Sequence, residues 1–357
     1  MRPLLKPALR RLWRAEQTLQ LGVDPELAVV LDGVGPAEAR FLLGLDGTRT
    51  RAEVLADAVD GDPGPVAARR LLDLLGHGGA LDDAATDLTG LAGMSGEERA
   101  RLAPDLASWS LARADAGASG RTLARRRAAA VAVHGAGRVG ATLAGLLAAA
   151  GVGHLSVVDP QIVGPADLAP GGLRASHVGS ERAAGALDVV RELAPSTSDR
   201  LPRARRRPDV AVLCLDADEV PQRAARLLAE GVGHLLAVVR ETVGLVGPLV
   251  LPGRTGCLRC LDLHRSDRDP AWPLLAAQLE HPGRAVERST SACDVALATA
   301  VAAHAALAVL AHVDDPAASP PLADAVLELR LPDALPRRRS WGAHPACGCT
   351  WPGAAAG

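Results

Sequence analysis

The stretch that most constrains this chain is Gly135-Ala136-Gly137-Arg138-Val139-Gly140, a G-x-G-x-x-G that follows the apolar run Ala128 to His134 and opens a helical pattern from Arg138 to Ala150. Glycines at these places allow a tight turn, close approach of backbone to a phosphate, and close packing of helix on strand. The helix N-terminus adds partial positive charge. Leu155 to Asp159 reads as the next strand, and its terminal Asp159 lies 19 residues beyond Gly140, where a carboxylate can accept hydrogen bonds from ribose hydroxyls. Gly135, Gly137, Gly140 and Asp159 are therefore candidate cofactor-binding residues. The competing reading is an α/β sheet that uses glycines only for packing.

Further strands are expected at Asp209 to Leu215, His234 to Val239, Gly244 to Leu251 and Ala325 to Leu329, with helices near Ser180 to Leu193, Val220 to Leu228 and Ser291 to Val313. This alternation predicts an α/β fold with a parallel, doubly wound sheet. Dinucleotides and ATP both use such a turn. A nicotinamide-dependent dehydrogenase commonly adds a His, Lys or Tyr for proton transfer, and here composition intervenes. Lys6 is the only lysine and tyrosine is absent, so beyond position 6 there is no Schiff-base lysine, P-loop lysine or tyrosine acid. His134, His154, His177 and His264 remain as candidates.

With 357 residues, 48% hydrophobic and net charge −2, the chain reads as globular and most naturally two-domain, which argues against disordered, collagenous and nucleic-acid-coating classes. The basic start, Arg2 to Arg14, has no apolar h-region, so a cytoplasmic location is expected. Val295 to Val313 is long enough to span a membrane, but it is alanine-rich and carries His304 and His312. It reads as a buried core helix, with no membrane partner.

The first 80 or so residues read separately. Thr18 to Val23 and Ala28 to Asp32 suggest a hairpin across Asp24-Pro25. Helices follow at Pro36 to Leu45, after the capping box Thr50-Arg51-Ala52-Glu53 with Val54 and Leu55 inward, and at Pro65 to Leu75, which puts Val66, Leu71, Leu72 and Leu75 on one apolar face ahead of Gly76, Gly78 and Gly79. Asp82 to Gly93 reads as linker, and Ser95 to Glu98 caps a short helix ending near Pro104. The expected domains are thus 1–83, a linker and helix over 84–120, and 121–357.

Six cysteines in a reducing compartment are thiols or metal ligands rather than a disulfide framework. Cys257-Leu258-Arg259-Cys260 and Cys347-Gly348-Cys349 form two close pairs that can close a tetrahedral Zn²⁺ site with no open position. Free thiols or a redox pair are the alternatives. Cys214 and Cys293 read as buried thiols.

Together, the mid-chain glycine turn, the strand ending Val157-Val158-Asp159 and the late C-x-x-C with a distal cysteine pair resemble the ThiF/MoeB/HesA E1-like family of ubiquitin-activating-type adenylyltransferases. The likeness runs from about Arg121 to Trp351. The segments Gly256 to Arg265 and His344 to Cys349 look most like E1-like partner proteins of azole-forming peptide modification. That resemblance implies a Rossmann-like domain, a structural zinc and a homodimer. Active members bind a protein or peptide C-terminus and attack the ATP α-phosphate, chemistry that needs cations on the phosphates and an acid for Mg²⁺.

Carried over residue by residue, the family pattern is eroded. Its D-x-D-x-V falls on Asp159-Pro160-Gln161-Ile162-Val163, so Gln161 replaces the second acid. Its S-N-L-x-R-Q falls on Ala166-Asp167-Leu168-Ala169-Pro170-Gly171, which puts aspartate at the asparagine position and Pro170 at the catalytic arginine, with Arg174 the nearest substitute. Arg182 stands for the lysine and Asp216 for the metal-binding aspartate; these two are the catalytic candidates if the site is active. Losing one positioned cation costs about 3 kcal/mol, roughly a hundredfold in rate. Absent or very slow adenylation is expected.

Residues 3 to 83, with the Asp46 to Thr50 turn and Leu71 to Leu75 leading to Gly79-Ala80-Leu81, are similar to PqqD-like, winged-helix peptide-recognition domains. These bind the leader of a ribosomally made precursor by strand addition. DNA binding competes, but the third helix offers only Arg69 and Arg70 among acids, so no nucleic-acid partner is expected. The clusters Arg125 to Arg127, Arg203 to Arg207 and Arg337 to Arg339 read as solvated loops. The leading expectation is a binder that presents a precursor peptide to a partner modifying enzyme. A working adenylyltransferase and a nicotinamide oxidoreductase are the alternatives.

Overall fold

The structure, a computed structural model, describes residues 1–59, 61–85, 91–280 and 292–350. It divides into two units, Met1–Arg125 and Arg126–Gly357.

The first unit has β1 (Pro3–Leu5), which belongs to a separate two-stranded sheet, and a three-stranded antiparallel sheet of β2 (Arg11–Ala15), β3 (Thr18–Leu21) and β4 (Val29–Asp32). Leu19, Leu21 and Leu31 point to the core, the period-2 alternation of a half-buried sheet. The expected hairpin is present as β3 and β4. Sequence reading missed β2, whose five residues are all exposed and carry no apolar alternation. Helices α1 (Pro36–Leu43), α2 (Arg51–Asp57) and α3 (Pro65–His77) follow, α2 with its Thr50/Glu53 capping box in place. Leu71, Leu72 and Leu75 of α3 are buried as expected, but Val66 is 83% exposed. It sits in the first turn, one residue after Pro65, where the helix reaches past the core.

β5 (Leu81–Asp83) pairs with β1, so the chain is still in a sheet where linker was expected. α4 (Gly96–Ala112) starts at the Ser95/Glu98 capping box but runs on through Pro104. Leu102, Leu106 and Trp109, at i, i+4 and i+7, pack with Met94 and Leu123, and that apolar face outweighs the roughly 3 kcal/mol cost of an interior proline. The lone lysine has a structural place here. Lys6 is 1% exposed, and its Nζ donates to the carbonyls of Ser110 and, at 2.8 Å, Arg113, acceptors that the end of α4 leaves without intrahelical donors. The boundary between units falls within α5 (Ala118–Ala128).

The second unit is built on a seven-stranded sheet. From β6 (Ala130–His134) the chain passes through α6 (Arg138–Ala149), β7 (His154–Val158), α7 (Arg182–Leu193), β8 (Val210–Leu213), α8 (Val220–Ala229), β9 (Gly233–Arg240) and β10 (Val243–Val250). It continues through α9 (Leu258–Arg268), α10 (Trp272–Glu280), α11 (Val295–Asp314), β11 (Ala325–Arg330) and β12 (Pro336–Ser340). The order is β12-β11-β10-β9-β8-β6-β7. The β7-β6-β8-β9 half is parallel as expected, whereas β9 through β12 pair antiparallel. Only Glu241 and Thr242 join β9 to β10, too few residues for a parallel crossover.

Val131 and Val133 face α6 and α11; Ala132 and Leu213 face α8. Both faces are thus covered, which explains the near-continuous apolar strands. α11 passes the length and apolarity test for a membrane span, yet Leu297, Val301, Ala305 and Val309 lie in the core against α6 and the sheet. The first and third arginine clusters are not loops. Arg125 to Arg127 close α5, where Arg126 makes a two-pronged pair with Asp314 at 2.8 and 2.6 Å. Arg337 to Arg339 lie in β12, a short, exposed, Pro-led edge strand of the kind that resists pairing with another chain. Arg203 to Arg207 do lie outside regular structure.

Candidate nucleotide and metal sites

The carboxyl ends of β6, β7 and β8 meet at the glycine turn. Gly135 has φ +90°, and a side chain there would collide with the Cys214 carbonyl; one on Gly140 would collide with the carbonyl of Gly135. Both positions therefore require glycine. The Asp159 carboxylate, 5% exposed, accepts from Ala136 N–H at 2.7 Å and from Gln161 N–H at 2.9 Å. It closes the turn through these two amides, a use within the protein that differs from the ribose contact expected of it.

Arg182 reaches this point from the first turn of α7. Its Nη2 lies 2.7 Å from Asp167 Oδ1, its Nε donates to Asp167 Oδ2 at 3.0 Å, and its Nη1 donates to Gln161 Oε1 at 2.8 Å. Asp159 Oδ2 is 3.8 Å away. Asp167 in turn accepts from Gly164 N–H at 2.8 Å, and its Oδ1 sits 3.8 Å from where a side chain on Gly137 would begin. A carboxylate thus lies beside the turn whose amides suit a phosphate.

The remaining residues bear on the charge balance. Pro170 is exposed, and its carbonyl is 3.5 Å from Thr142 Oγ1. Arg174 pairs with Glu192 on α7. Asp216 is exposed in the loop after β8. It shares that loop with Asp218 and Glu219; the Glu219 carboxyl is pushed up by burial first and then by Asp218, Asp216 and Asp159. Glu219 was not singled out in the sequence, although the acid run Asp216 to Glu219 pointed to it. Arg138, within the glycine motif, donates to the Cys293 carbonyl and leaves its Nε buried without a partner.

Of the four histidines, three are engaged elsewhere and His134, next to the turn, is held neutral by burial. His134 is buried with Nδ1 unpartnered, and burial, aided by Arg223 and Arg226, pushes it down to about 4. His154 bonds the Arg200 carbonyl at 2.9 Å, His177 Nδ1 accepts from Arg174 N–H at 3.1 Å, and His264 bonds the Gly342 carbonyl at 2.9 Å with its ring against His344. Cys214 is pushed up to about 12 and Cys293 is also raised, both mainly by burial, as inert thiols would be.

Cys257, Cys260, Cys347 and Cys349 come together with all four sulfurs within 4.8 Å. The Sγ–Sγ distances are 3.9 Å for 257–260, 3.5 Å for 257–347 and 3.4 Å for 260–349. Four thiolates about 2.3 Å from a tetrahedral Zn²⁺ would lie roughly 3.8 Å apart, and these three distances fall within about 0.4 Å of that, so the set is compatible with the ion. Cys257 caps α9 and Cys260 lies in its first turn; Gly348, at φ +73°, lets the second pair fold back on itself. Burial raises the Cys257, Cys347 and Cys349 thiols to about 11. On Cys260 burial also acts upward, but backbone hydrogen bonds from His344 and Cys257 leave it lowered.

A phosphate-type turn on a doubly covered α/β sheet, with a four-cysteine cluster near the end of the chain, defines the class. The ThiF family profile matches residues 110–349, more than half of the chain, and the protein belongs to that family. Crystal structures of E. coli MccB share the fold. One holds AMPCPP and MccA (13% identity, TM-score 0.70, covering 98% of this chain and 99% of that one), and another, of the Microcin C7 biosynthetic enzyme MccB, is in complex with N-formylated MccA (12%, 0.70, 98% and 100%). PaaA is a further neighbour (16%, 0.65, 94% and 99%). Comparison with curated protein sequences gives no match.

Proposed function

We propose that this ThiF-family protein binds a ribosomally made precursor peptide through its first unit and presents it to a modifying enzyme, with an adenylation site that has lost most of its activity. One groove carries the reading. β4 has β3 on one side only, and residues of β4 and α3, among them Val30, Leu31, Val66, Arg70 and Leu74, line a cavity of about 590 Å³. Val30, Val66 and Leu74 are all solvent-exposed apolar residues. An extended peptide could add to the edge through backbone hydrogen bonds and place alternate side chains against α3, the mode by which leader-binding domains of the PqqD type work. Val66, which the sequence pattern assigned to the core, then has a task on the surface. The MccA-bound MccB structures support a peptide ligand.

For the second unit, the Asp167 carboxylate beside the glycine turn and the uncharged Pro170 support a weakened ATP site. We assign Zn²⁺ to the four cysteines as a structural ion that fixes the end of the chain, and expect a cytoplasmic homodimer. A working adenylyltransferase is the second reading, favoured by an acid, Asp216, in the loop after β8 and a cation, Arg182, beside the glycine turn. The test is calorimetric titration of candidate precursor peptides into the full chain. Sub-micromolar binding that falls at least tenfold in Val66→Glu supports the reading; an unchanged affinity in that variant refutes the groove.

A further inference from the structure

Beside the four cysteines lies a second group, His264, Asp267 and His344, whose ligand-type atoms also fall within 4.8 Å of one another. Two imidazoles and a carboxylate would suit a metal ion, but the hydrogen bonds decide otherwise. His344 Nδ1 accepts from Ala346 N–H at 3.1 Å, so the ring carries its proton on Nε2, which donates to Asp267 Oδ2 at 2.9 Å. His264 Nε2 faces the Gly342 carbonyl at 2.9 Å, and a carbonyl can only accept. Both Nε2 atoms are therefore donors. Neither Nε2 has a lone pair for a metal, and with His344 Nδ1 taken by the Ala346 amide only His264 Nδ1 and the Asp267 carboxylate are left, fewer ligands than a closed metal site uses.

We infer that this trio is a latch that holds the Cys347–Cys349 arm against α9 and so governs how tightly the zinc site is kept closed. Cys260, His264, Asp267 and Arg268 fall at i, i+4, i+7 and i+8 of one helix, a single stripe. Each meets the C-terminal arm: Cys260 meets Cys349, His264 meets the Gly342 carbonyl and the edge of the His344 ring, Asp267 meets His344, and the Arg268 guanidinium lies 4.3 Å over Trp341. His344 adds a contact of its own, since its carbonyl accepts the Cys347 N–H at 2.9 Å. The same residue thus touches α9 through its ring and one of the cysteine ligands through its backbone. Without the ring's bond to Asp267, the arm would rely on metal–sulfur bonds and the flanking contacts alone.

The experiment uses the zinc-loaded full chain. Zinc content is measured by elemental analysis, and zinc release to excess chelator is followed by a colorimetric indicator for wild type, His344→Ala, Asp267→Asn and His344→Gln. Groups that support metal ligands typically change affinity by about 10–100-fold. The latch requires one zinc per chain throughout, release about tenfold or more faster in His344→Ala and Asp267→Asn, and near-normal release in His344→Gln, whose amide can still reach Asp267. Two zinc ions per wild-type chain with one lost in His344→Ala would make the trio a metal centre and overturn the latch. Release unchanged in both His344→Ala and Asp267→Asn would overturn it as well. Circular dichroism of each zinc-loaded variant separates local release from unfolding: a variant that has lost its fold is replaced in the comparison by His344→Asn, which keeps the Ala346 bond but not the Asp267 bond and must also release zinc faster.

Discussion

Arg182 grips Asp167 with two nitrogens, at 2.7 and 3.0 Å, beside the turn formed by Gly135, Gly137 and Gly140. The cation is thereby neutralised, and its partner carboxylate stands beside the turn proposed to hold a phosphate. Asp167→Asn removes the negative charge and releases Arg182. Mg-ATP should then bind about tenfold or more tightly by calorimetry, a gain of roughly 1.4 kcal/mol. Equal or weaker binding in the variant would show that Asp167 does not oppose the nucleotide.

His134 makes stability depend on pH. Its folded pKa of about 4 lies below the ordinary 6.5, so between these values the unfolded chain holds the extra proton. The contribution is fully present above about pH 6.5 and is lost as pH falls toward 4, amounting to about 3 kcal/mol. Urea unfolding at pH 7.0 and 4.5 should show a smaller loss for His134→Leu than for wild type. Identical losses would place the titration elsewhere.

Much of this was legible beforehand because it rests on local chemistry. The Thr50 and Ser95 capping boxes, the glycine turn and each close cysteine pair are short-range patterns with few alternative uses, and the meeting of the two cysteine pairs across 90 residues was legible because four thiolates complete one tetrahedral ion. What was missed depended on long-range partners. β2 and β12 are exposed strands without apolar alternation, α5 hides Arg126 in a run of arginines that reads as surface until Asp314 is placed opposite it, and the antiparallel half of the sheet follows from a two-residue turn. The Arg182–Asp167 pair spans 15 residues and was invisible in the separate motifs.

The only lysine is expected to be a stability determinant. Lys6→Met keeps the apolar stem but leaves the Ser110 and Arg113 carbonyls without their donor, which should destabilise the first unit by about 1–3 kcal/mol. Thermal unfolding of the full chain checks this; a change below about 0.5 kcal/mol would contradict it.

Zinc should shield its four thiols. In the loaded protein iodoacetamide should leave Cys257, Cys260, Cys347 and Cys349 unmodified, and prior chelation should add these four to the alkylated set by mass spectrometry, with Cys214 unreactive in both because burial pushes it up to about 12. Alkylation of the four at equal rates with and without chelator would argue against a closed metal site.

The central claim, peptide capture without efficient adenylation, is tested most directly by peptide-dependent ATP–pyrophosphate exchange. The measurement uses zinc-loaded protein and a precursor peptide that calorimetry has already shown to bind. Binding with exchange at or near background is expected. Robust exchange that requires the peptide and disappears in Asp216→Ala would contradict it and make the protein a working adenylyltransferase.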